Sequence, residues 1–431
     1  MTSARLIKAF CCVLFCSVMA VSSGCIGTVK KADSEQDTQL FDSGNITVYQ
    51  FDGGTVGATA YDQDWYNKFL DYYQKEYGGT VSSVAVEWQG WEARFNKDLA
   101  SGVAPDLIYL FENNFYPLLN RELIVSVEEM DEKGVEGTNH PSLFIKQKLA
   151  SDLYSANGKT YSFACAYAEA DMIFVNEDLF SQYGVTSPYE YYLAGRWDMA
   201  AFKSCAKLIT RDTNEDGKND LYGYYGYTPY AFVASTGGEL VKLDENGKFC
   251  SYIENPQTLQ GLANYRSTYA NGYATEYYSK WMAGKTAMMG WTPQGEYGNL
   301  VNNRLDFNWS VVPFPLDNCN QTGVRSGRCY GWAVSASSIN WQGCVNYVVA
   351  LNKYSVINPD FTSRDYDKVF TTEQLEMFSD CTDNIQLPLY NGVGELGTTQ
   401  WDFWGALSDG KISEQKAINL TKTEIDRQTK K

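Results

Sequence analysis

Histidine is nearly absent from this chain, whose 431 residues contain only His140. A zinc protease helix, a Ser-His-Asp triad and a His-rich metal centre all need more histidines than this. Positive charge is also scarce, because 35 Lys and Arg residues face 52 Asp and Glu residues, a formal net charge of −17. Such a surface repels phosphate backbones and anionic lipids, so nucleic acid is excluded as a partner.

Aromatic residues are abundant by contrast, with 32 Tyr, 21 Phe and 11 Trp. They make up 15% of the chain, more than a core of this size usually needs. Hydrophobic residues reach 44%, which is typical of a globular protein, and the length predicts two or three domains.

The N-terminus has the pattern of an export signal. Arg5 and Lys8 precede an apolar run over residues 9–21 that is too short to span a bilayer, so residues 1–24 are predicted to be a signal peptide. The following SSGC sequence resembles a bacterial lipobox, which implies that Cys25 is acylated and becomes the mature N-terminus. The alternative is an ordinary signal peptide that is cut nearby and leaves Cys25 unmodified. Residues 25–43 are polar and predict a tether to the extracytoplasmic face of the cell membrane.

Seven cysteines follow Cys25, and an odd number of cysteines cannot all form disulfides within one chain. They are Cys165, Cys205, Cys250, Cys319, Cys329, Cys344 and Cys381. No C-x-x-C occurs, so neither a zinc site nor a thioredoxin motif is supported. Cys319 and Cys329 flank a turn rich in Gly and Ser and could close a small loop, although buried thiols are favoured.

Strand and helix patterns alternate along the chain. Strands are predicted over 46–52, 81–88 and 105–110, each followed by a helix, over 61–77, 91–100 and 115–120. The alternation resumes with a strand over 170–176, which predicts an α/β protein with two lobes of parallel sheet flanked by helices. Ligands of such sheets bind beyond the carboxyl ends of the strands, here at Asp52, residues 88–91 and residues 111–114.

One loop, over residues 212–220, fits the first nine positions of an EF-hand. Its candidate calcium ligands are Asp212, Asn214, Asp216, Lys218 through its carbonyl, and Asp220. Position 12 is Gly223 instead of an acid, so the alternative is a turn rich in Asx hydrogen bonds. No other cofactor is predicted.

Several motifs, in order, resemble those of one family. They are ASGVAPD at 100–106, EADMIFVNEDLF at 169–180, Trp197-Asp198 with its helix, DGK at 216–218, GKTAM at 284–288 and ALSDGKI at 406–412. Together they resemble the extracellular solute-binding proteins of ABC importers, in the carbohydrate group that includes maltose-binding proteins.

The resemblance implies a two-lobed periplasmic-binding-protein-like fold, with lobes at 44–167 plus 314–354 and at 168–313 plus 355–431. The chain is expected to cross between lobes near 167–170, 311–315 and 354–359. A monomeric receptor would then close on a carbohydrate, with an oligosaccharide favoured, and deliver it to the permease subunits without catalysis.

A sugar site needs aromatic platforms for ring faces and polar groups for hydroxyls. Strand ends and the resemblance predict these ligand-binding residues: Asp52, Trp91, Glu112, Asn113, Asn114, Tyr167, Glu169, Tyr230, Trp291, Tyr330, Trp332 and Trp401. The alternatives are a helix N-cap for one asparagine, core packing for the tryptophans, and backbone hydrogen bonding for Glu169.

Three other functions remain open at this point. A glycan-cleaving enzyme would use paired carboxylates in the cleft. A receptor for a polyamine would suit the acidic surface, since loss of Arg5 and Lys8 with the signal peptide takes the charge from −17 to −19. A calcium-stabilised adhesin is the third.

Overall fold

The computed structural model describes residues 45–51, 63–86, 90–143, 147–226, 230–244, 249–357, 366–389 and 413–429. The predicted signal peptide, the lipidation site Cys25, the tether, and the candidate residues Asp52 and Trp401 lie outside these ranges.

The elements follow the predicted alternation closely in the first part of the chain. They are β1 (Ile46–Phe51), α1 (Gln63–Tyr77), β2 (Val81–Val86), α2 (Trp91–Ala100), β3 (Leu107–Leu110), α3 (Phe115–Asn120), α4 (Val127–Glu132), α5 (Gln147–Leu153), β4 (Ser155–Ala156), β5 (Lys159–Thr160) and β6 (Ala164–Ala170).

The middle of the chain contains β7 (Met172–Asn176), α6 (Glu177–Tyr183), α7 (Pro188–Leu193), α8 (Met199–Ile209), β8 (Tyr222–Gly226), α9 (Tyr230–Ala234), β9 (Val241–Leu243), β10 (Phe249–Ser251), α10 (Pro256–Ala270), α11 (Tyr278–Met282), β11 (Thr286–Trp291), α12 (Pro293–Val301) and β12 (Trp309–Pro313). The last part contains β13 (Arg325–Val334), α13 (Trp341–Ile357), α14 (Thr372–Thr382), β14 (Ile385–Gln386) and α15 (Glu414–Thr429).

The chain forms two compact α/β units. Unit 1 comprises the described residues up to Ala168 and those from Cys329 to Ile357, and unit 2 those from Glu169 to Arg328 and from Tyr366 onward. The first crossing falls within the expected 167–170 segment.

The second crossing comes later than predicted, because residues 314–328 belong to unit 2 and not to the first lobe. Their backbone is hydrogen-bonded within unit 2: the Met199 amide donates to the Leu316 carbonyl at 3.0 Å, and the Asp317 amide donates to the Ser235 carbonyl at 2.9 Å. These contacts join distant parts of the sequence, which strand and helix patterns do not reveal.

The sheet of unit 1 runs in the order β2-β1-β3-β13. Strand β1 is parallel to β2, with Ile46 opposite Val81 and Phe51 opposite Val86, and it is also parallel to β3. Strand β13 returns antiparallel to β3, with Gly331 opposite Leu110. The carboxyl ends of β1, β2 and β3 therefore lie at one edge of this sheet, as expected for a ligand-binding edge.

Part of the aromatic content packs the core of unit 1. Trp65, Phe69 and Tyr73 lie on one face of α1 and are buried, in keeping with their helical spacing. Their rings meet α13, where Tyr347 lies 5.4 Å from Phe69 and Tyr354 lies 4.9 Å from Trp65. These rings stabilise the fold and are not available to a ligand.

The main sheet of unit 2 has the order β12-β7-β11-β8 and is mixed. Strand β7 runs antiparallel to both β12 and β11, and only β11 and β8 are parallel. The prediction of a mainly parallel sheet is therefore wrong for this unit. The direction of β7 is set by pairing with residues far along the chain, Val175 with Met288 and Asn176 with Trp309, which local pattern does not reveal.

Candidate functional site

The carboxyl end of β3 carries the polar candidates of unit 1. Glu112 is half-buried and Asn113 is exposed in the turn that leads to α3. Asn114 is fully buried, and its amide is used by the backbone: it accepts from the Phe111 amide at 2.9 Å and donates to the Tyr109 carbonyl at 2.7 Å. Asn114 therefore shapes the turn, and Glu112 and Asn113 remain the candidates for ligand contact.

Four aromatic rings lie in sequence beside this turn. The ring centroids of Trp91 and Phe111 are 5.9 Å apart, those of Phe111 and Tyr330 are 6.4 Å apart, and those of Tyr330 and Tyr167 are 6.0 Å apart. We call Trp91, Phe111, Tyr330 and Tyr167 the aromatic row. Tyr330 is half-buried and is its most accessible member, whereas the other three rings are buried. The row joins three of the predicted ligand-binding residues with Phe111, which lies in the 111–114 segment expected at the ligand-binding edge but was not itself among the candidates.

Trp332 belongs to the core of unit 1 and not to this row. Its ring is stacked on that of Tyr109 at 3.9 Å and meets Tyr347 edge-on at 6.2 Å. The residue is 3% exposed, whereas Tyr330 on the same strand is half-buried. The prediction of Trp332 as a ligand contact is therefore not supported by its position.

In unit 2, Glu169 lies at the N-terminus of α12. Its Oε2 accepts the Gln294 amide at 3.1 Å, and Thr292 caps the same helix by accepting the Gly295 amide at 3.2 Å. A carboxylate is favoured at this end of a helix because the backbone amides carry partial positive charge. Glu169 is 5% exposed, so the backbone-bonding role foreseen as the alternative is present in the structure.

Trp291 is the last residue of β11 and is half-buried. Its indole lies directly over Gly295, where an added Cβ would come within 2.3 Å of the indole Nε1. The Tyr278 ring meets the indole edge-on at 5.5 Å. A glycine below the ring and an aromatic edge beside it therefore determine its orientation.

A buried carboxylate supports this arrangement. Glu296 is 0% exposed and accepts hydrogen bonds from the Trp281 Nε1 at 2.9 Å and the Tyr278 hydroxyl at 2.9 Å. The Asn299 amide donates a third bond at 3.1 Å. Burial raises the pKa of Glu296, and these three donors oppose that increase. Sequence spacing gives no sign of this network, because its members converge only in the folded unit.

Tyr230 is a core residue of unit 2. It is 5% exposed and packs in the cluster that includes Phe232, Leu240 and Tyr265. Its hydroxyl accepts a hydrogen bond from the Gln386 amide at 3.0 Å. This placement does not support the prediction that Tyr230 is an aromatic platform.

The sequence model of the family described as bacterial extracellular solute-binding protein matches residues 58–340, more than half of the chain. The chain belongs to this family. It is an extracellular solute-binding protein, and its α/β fold of two compact units agrees with that assignment. No curated protein matches its sequence.

Solved structures similar to this solute-binding protein share its fold at low sequence identity. The ABC substrate-binding protein Lmo0181 from Listeria monocytogenes, in complex with cycloalternan, is 16% identical with a TM-score of 0.65, covering 89% of this chain and 98% of that one. The cyclic alpha-maltosyl-1,6-maltose binding protein from Arthrobacter globiformis is 13% identical with a TM-score of 0.67, covering 90% and 99%. The GacH receptor of Streptomyces glaucescens is 18% identical with a TM-score of 0.62, covering 90% and 98%.

In the part of the solute-binding protein that the structure describes, no helix has the length and apolar character needed to cross a membrane.

The loop predicted to bind calcium is closed by its own hydrogen bonds. Asp212 accepts the backbone amides of Glu215 at 2.8 Å and Gly217 at 2.7 Å, and Asp216 accepts that of Lys218 at 2.9 Å. Asp220 accepts the Thr213 amide at 2.8 Å. Over the described ranges, no group of three His, Cys, Asp or Glu residues could hold a metal ion. This geometry is that of an Asx-rich turn.

Calcium titration tests the loop directly. Because no three of the described acidic side chains are grouped to hold the ion, we expect no heat when calcium is added to chelator-treated solute-binding protein in a calorimeter. The matched control is Asp216→Asn. A saturable heat in the wild type that this variant abolishes would instead establish the calcium site.

Asp171, the residue between β6 and β7, is a buried titratable group of unit 2. Its backbone amide donates to the Ser326 carbonyl at 2.9 Å, and the Ser326 hydroxyl donates to its carboxylate. Burial raises the pKa of Asp171, and Arg328 and the Ser326 hydrogen bond lower it less. The folded protein therefore holds this proton more tightly than the unfolded chain does.

This proton makes the stability of the solute-binding protein depend on pH. The contribution of Asp171 is fully present below the pKa of the unfolded chain and is lost as pH rises through the higher folded pKa. Asp171→Asn does not titrate, so the thermal midpoint of the variant relative to wild type should increase from about pH 4 to about pH 8. Parallel midpoint curves for the two proteins would show that Asp171 does not contribute.

Proposed function

We propose that this protein is the substrate-binding component of an ABC importer, and that it captures an oligosaccharide for delivery to the permease. The observation that carries the proposal is the half-buried Tyr330 of the aromatic row, which lies beside the turn of Glu112 and Asn113. A sugar presents apolar ring faces to aromatic rings and hydroxyl groups to carboxylates and amides, and these three side chains are of both kinds.

Unit 2 supplies residues of the same chemical kind. Trp291 is a half-buried indole whose orientation is set by Gly295, and Glu169 lies at the N-terminus of the helix that contains Gly295. Several structurally similar proteins are described with sugar ligands, including cycloalternan and maltotetraose. This agreement supports a carbohydrate as the ligand class.

Thermal shift with a panel of ligands tests the proposal. Monosaccharides, linear and cyclic oligosaccharides and polyamines are added separately to the mature protein, and hits are confirmed by calorimetry. We expect an oligosaccharide to raise the melting temperature, by mass action on the folded state. A shift with polyamines only would refute the carbohydrate proposal, and new reducing ends after incubation with glycans would indicate an enzyme.

We further propose that acylated Cys25 holds the protein at the extracytoplasmic face of the membrane. Acyl chains bury enough hydrocarbon to anchor a protein without a transmembrane helix. Mass spectrometry of the wild-type N-terminal peptide should show a peptide that begins at Cys25 and carries a lipid, and Cys25→Ala should carry none. A wild-type N-terminal peptide without a lipid, or one that begins at another residue, would contradict this.

Delivery to a permease is tested in cells. Deletion of the gene should abolish uptake of the sugar that the purified protein binds, and wild-type protein should restore it. Uptake at the wild-type rate in the deletion strain would argue against the transport role without affecting the binding result.

A further inference from the structure

Two buried thiols of unit 1 lie side by side. Cys165 is on β6 and Cys329 is on β13, and their Sγ atoms are 3.8 Å apart although the residues are 164 positions apart in sequence. Both side chains are buried, at 6% and 0% exposure. A disulfide has an S–S bond of about 2.05 Å, so the two sulfur atoms need to approach each other by less than about 2 Å to form a bond.

The backbone around this pair is held at close approach. A Cβ at Gly331 would lie 2.2 Å from the Ser162 Oγ, so only glycine allows β13 to come this near to the segment that leads into β6. The Phe163 amide donates to the Trp332 carbonyl at 3.2 Å, and the Tyr154 hydroxyl donates to the Cys329 carbonyl. The proximity of the two thiols is therefore enforced by several contacts and does not depend on one flexible side chain.

Other cysteines of the described chain have different surroundings. The Cys205 thiol points to the Thr186 carbonyl at 3.6 Å, and burial raises the pKa of this thiol to about 12, which suppresses the reactive thiolate. The Cys319 thiol points to the Thr236 carbonyl of unit 2 at 3.8 Å. The small loop between Cys319 and Cys329 that the sequence suggested is therefore not favoured, because the thiol beside Cys329 is that of Cys165.

We propose that Cys165 and Cys329 form a structural disulfide in the exported protein. Extracellular proteins fold in an oxidising environment, where disulfides form and persist. The oxidant is another disulfide, carried by a thiol–disulfide oxidoreductase or a small molecule. The two cysteines lose two electrons and two protons to form the S–S bond, and the donor disulfide takes them up to become two thiols. The bond forms while the chain folds, before burial closes access.

The position of the bond in the chain gives it a specific effect. Residues 169–328, the larger part of unit 2, are inserted into unit 1 between Ala168 and Cys329. A bond between Cys165 and Cys329 closes the loop that contains this whole insertion. Long closed loops restrict the unfolded chain most in the loop-entropy account, so the bond should stabilise unit 1 appreciably.

Peptide mapping of the wild-type protein tests the proposal. The mature protein is secreted by a bacterial host, denatured with iodoacetamide in the absence of reductant, and digested. We expect one peptide pair that joins Cys165 to Cys329, which separates on reduction with a mass gain of about 2 Da. Carbamidomethylated Cys165 and Cys329, or a bond from either one to another cysteine, would overturn the proposal.

Thermal unfolding gives a second readout with matched variants. Reduction should lower the midpoint of the wild type by about 5 °C or more, and it should not change that of Cys165→Ala/Cys329→Ala. Cys319→Ser is the control, because it should keep both the linked peptide and the sensitivity to reductant. An equal decrease in the double variant would place the stabilising bond elsewhere and overturn the assignment.

Discussion

Replacing Glu296 with alanine is expected to lower the free energy of unfolding by about 3 kcal/mol or more. The carboxylate is fully buried and accepts hydrogen bonds from Trp281, Tyr278 and Asn299. Its removal leaves the buried Trp281 Nε1 without its acceptor and takes one acceptor each from Tyr278 and Asn299. A buried donor that loses its acceptor carries most of the cost. Urea unfolding of the wild type and the variant measures the difference.

The control for this variant is Glu276→Ala, which removes an exposed carboxylate from the same unit. We expect a change within about 0.5 kcal/mol there, as for most surface substitutions. If Glu296→Ala is equally mild, the network around Glu296 does not stabilise the unit. The variant should also loosen Tyr278 and, through it, the indole of Trp291, so its tryptophan fluorescence should shift before unfolding begins.

The second large effect is expected on ligand binding. Trp291→Ala should weaken affinity for the sugar that gives the largest thermal shift by at least about tenfold, because a stacked aromatic is often worth 2 kcal/mol or more. Calorimetry measures the dissociation constant. Tyr330→Ala tests the aromatic row of unit 1 in the same way, and Trp291→Phe should retain part of the affinity because a ring face remains.

Tyr189→Ala serves as the matched control, since it removes an exposed aromatic from α7 of unit 2, outside the candidate residues. Its affinity should equal that of the wild type. If Trp291→Ala binds the sugar with wild-type affinity, Trp291 is not part of the binding site. The carbohydrate proposal would then be tested by the ligand panel alone. Loss of affinity in Tyr189→Ala as well would point to a general loss of folding.

Local pattern predicted the elements of unit 1 well. Strands β1 to β3 and helices α1 to α3 lie close to their predicted ranges, because alternation of apolar residues and helical spacing are properties of neighbouring positions. Trp91, Glu112 and Tyr330 were likewise proposed as ligand contacts from strand ends and motifs. The topology of the sheet brings them together with Phe111 and its turn, and their contact with a ligand stays a prediction.

Burial could not be predicted in the same way. Trp332 and Tyr330 lie two positions apart on one strand, yet Trp332 is covered by Tyr109 and Tyr347 while Tyr330 is only half-buried. Tyr230 is covered by cluster residues that include Tyr265 on α10. Such contacts depend on residues that are far apart in sequence, so the local sequence pattern contains no signal for them. The direction of β7 and the second crossing were missed for the same reason.

The pairing of β13 with β3 has a consequence for how the exported chain matures. Leu110 of β3 pairs with Gly331 of β13, which lies about 220 residues later in the chain. The sheet of unit 1 therefore cannot be completed until most of the polypeptide has left the translocation channel. A non-local pairing of this kind is slow to form. Residues 169–328 emerge before it and can begin to fold first. A chain truncated before residue 325 would leave the edge of β3 unpaired, and an unpaired strand edge promotes aggregation.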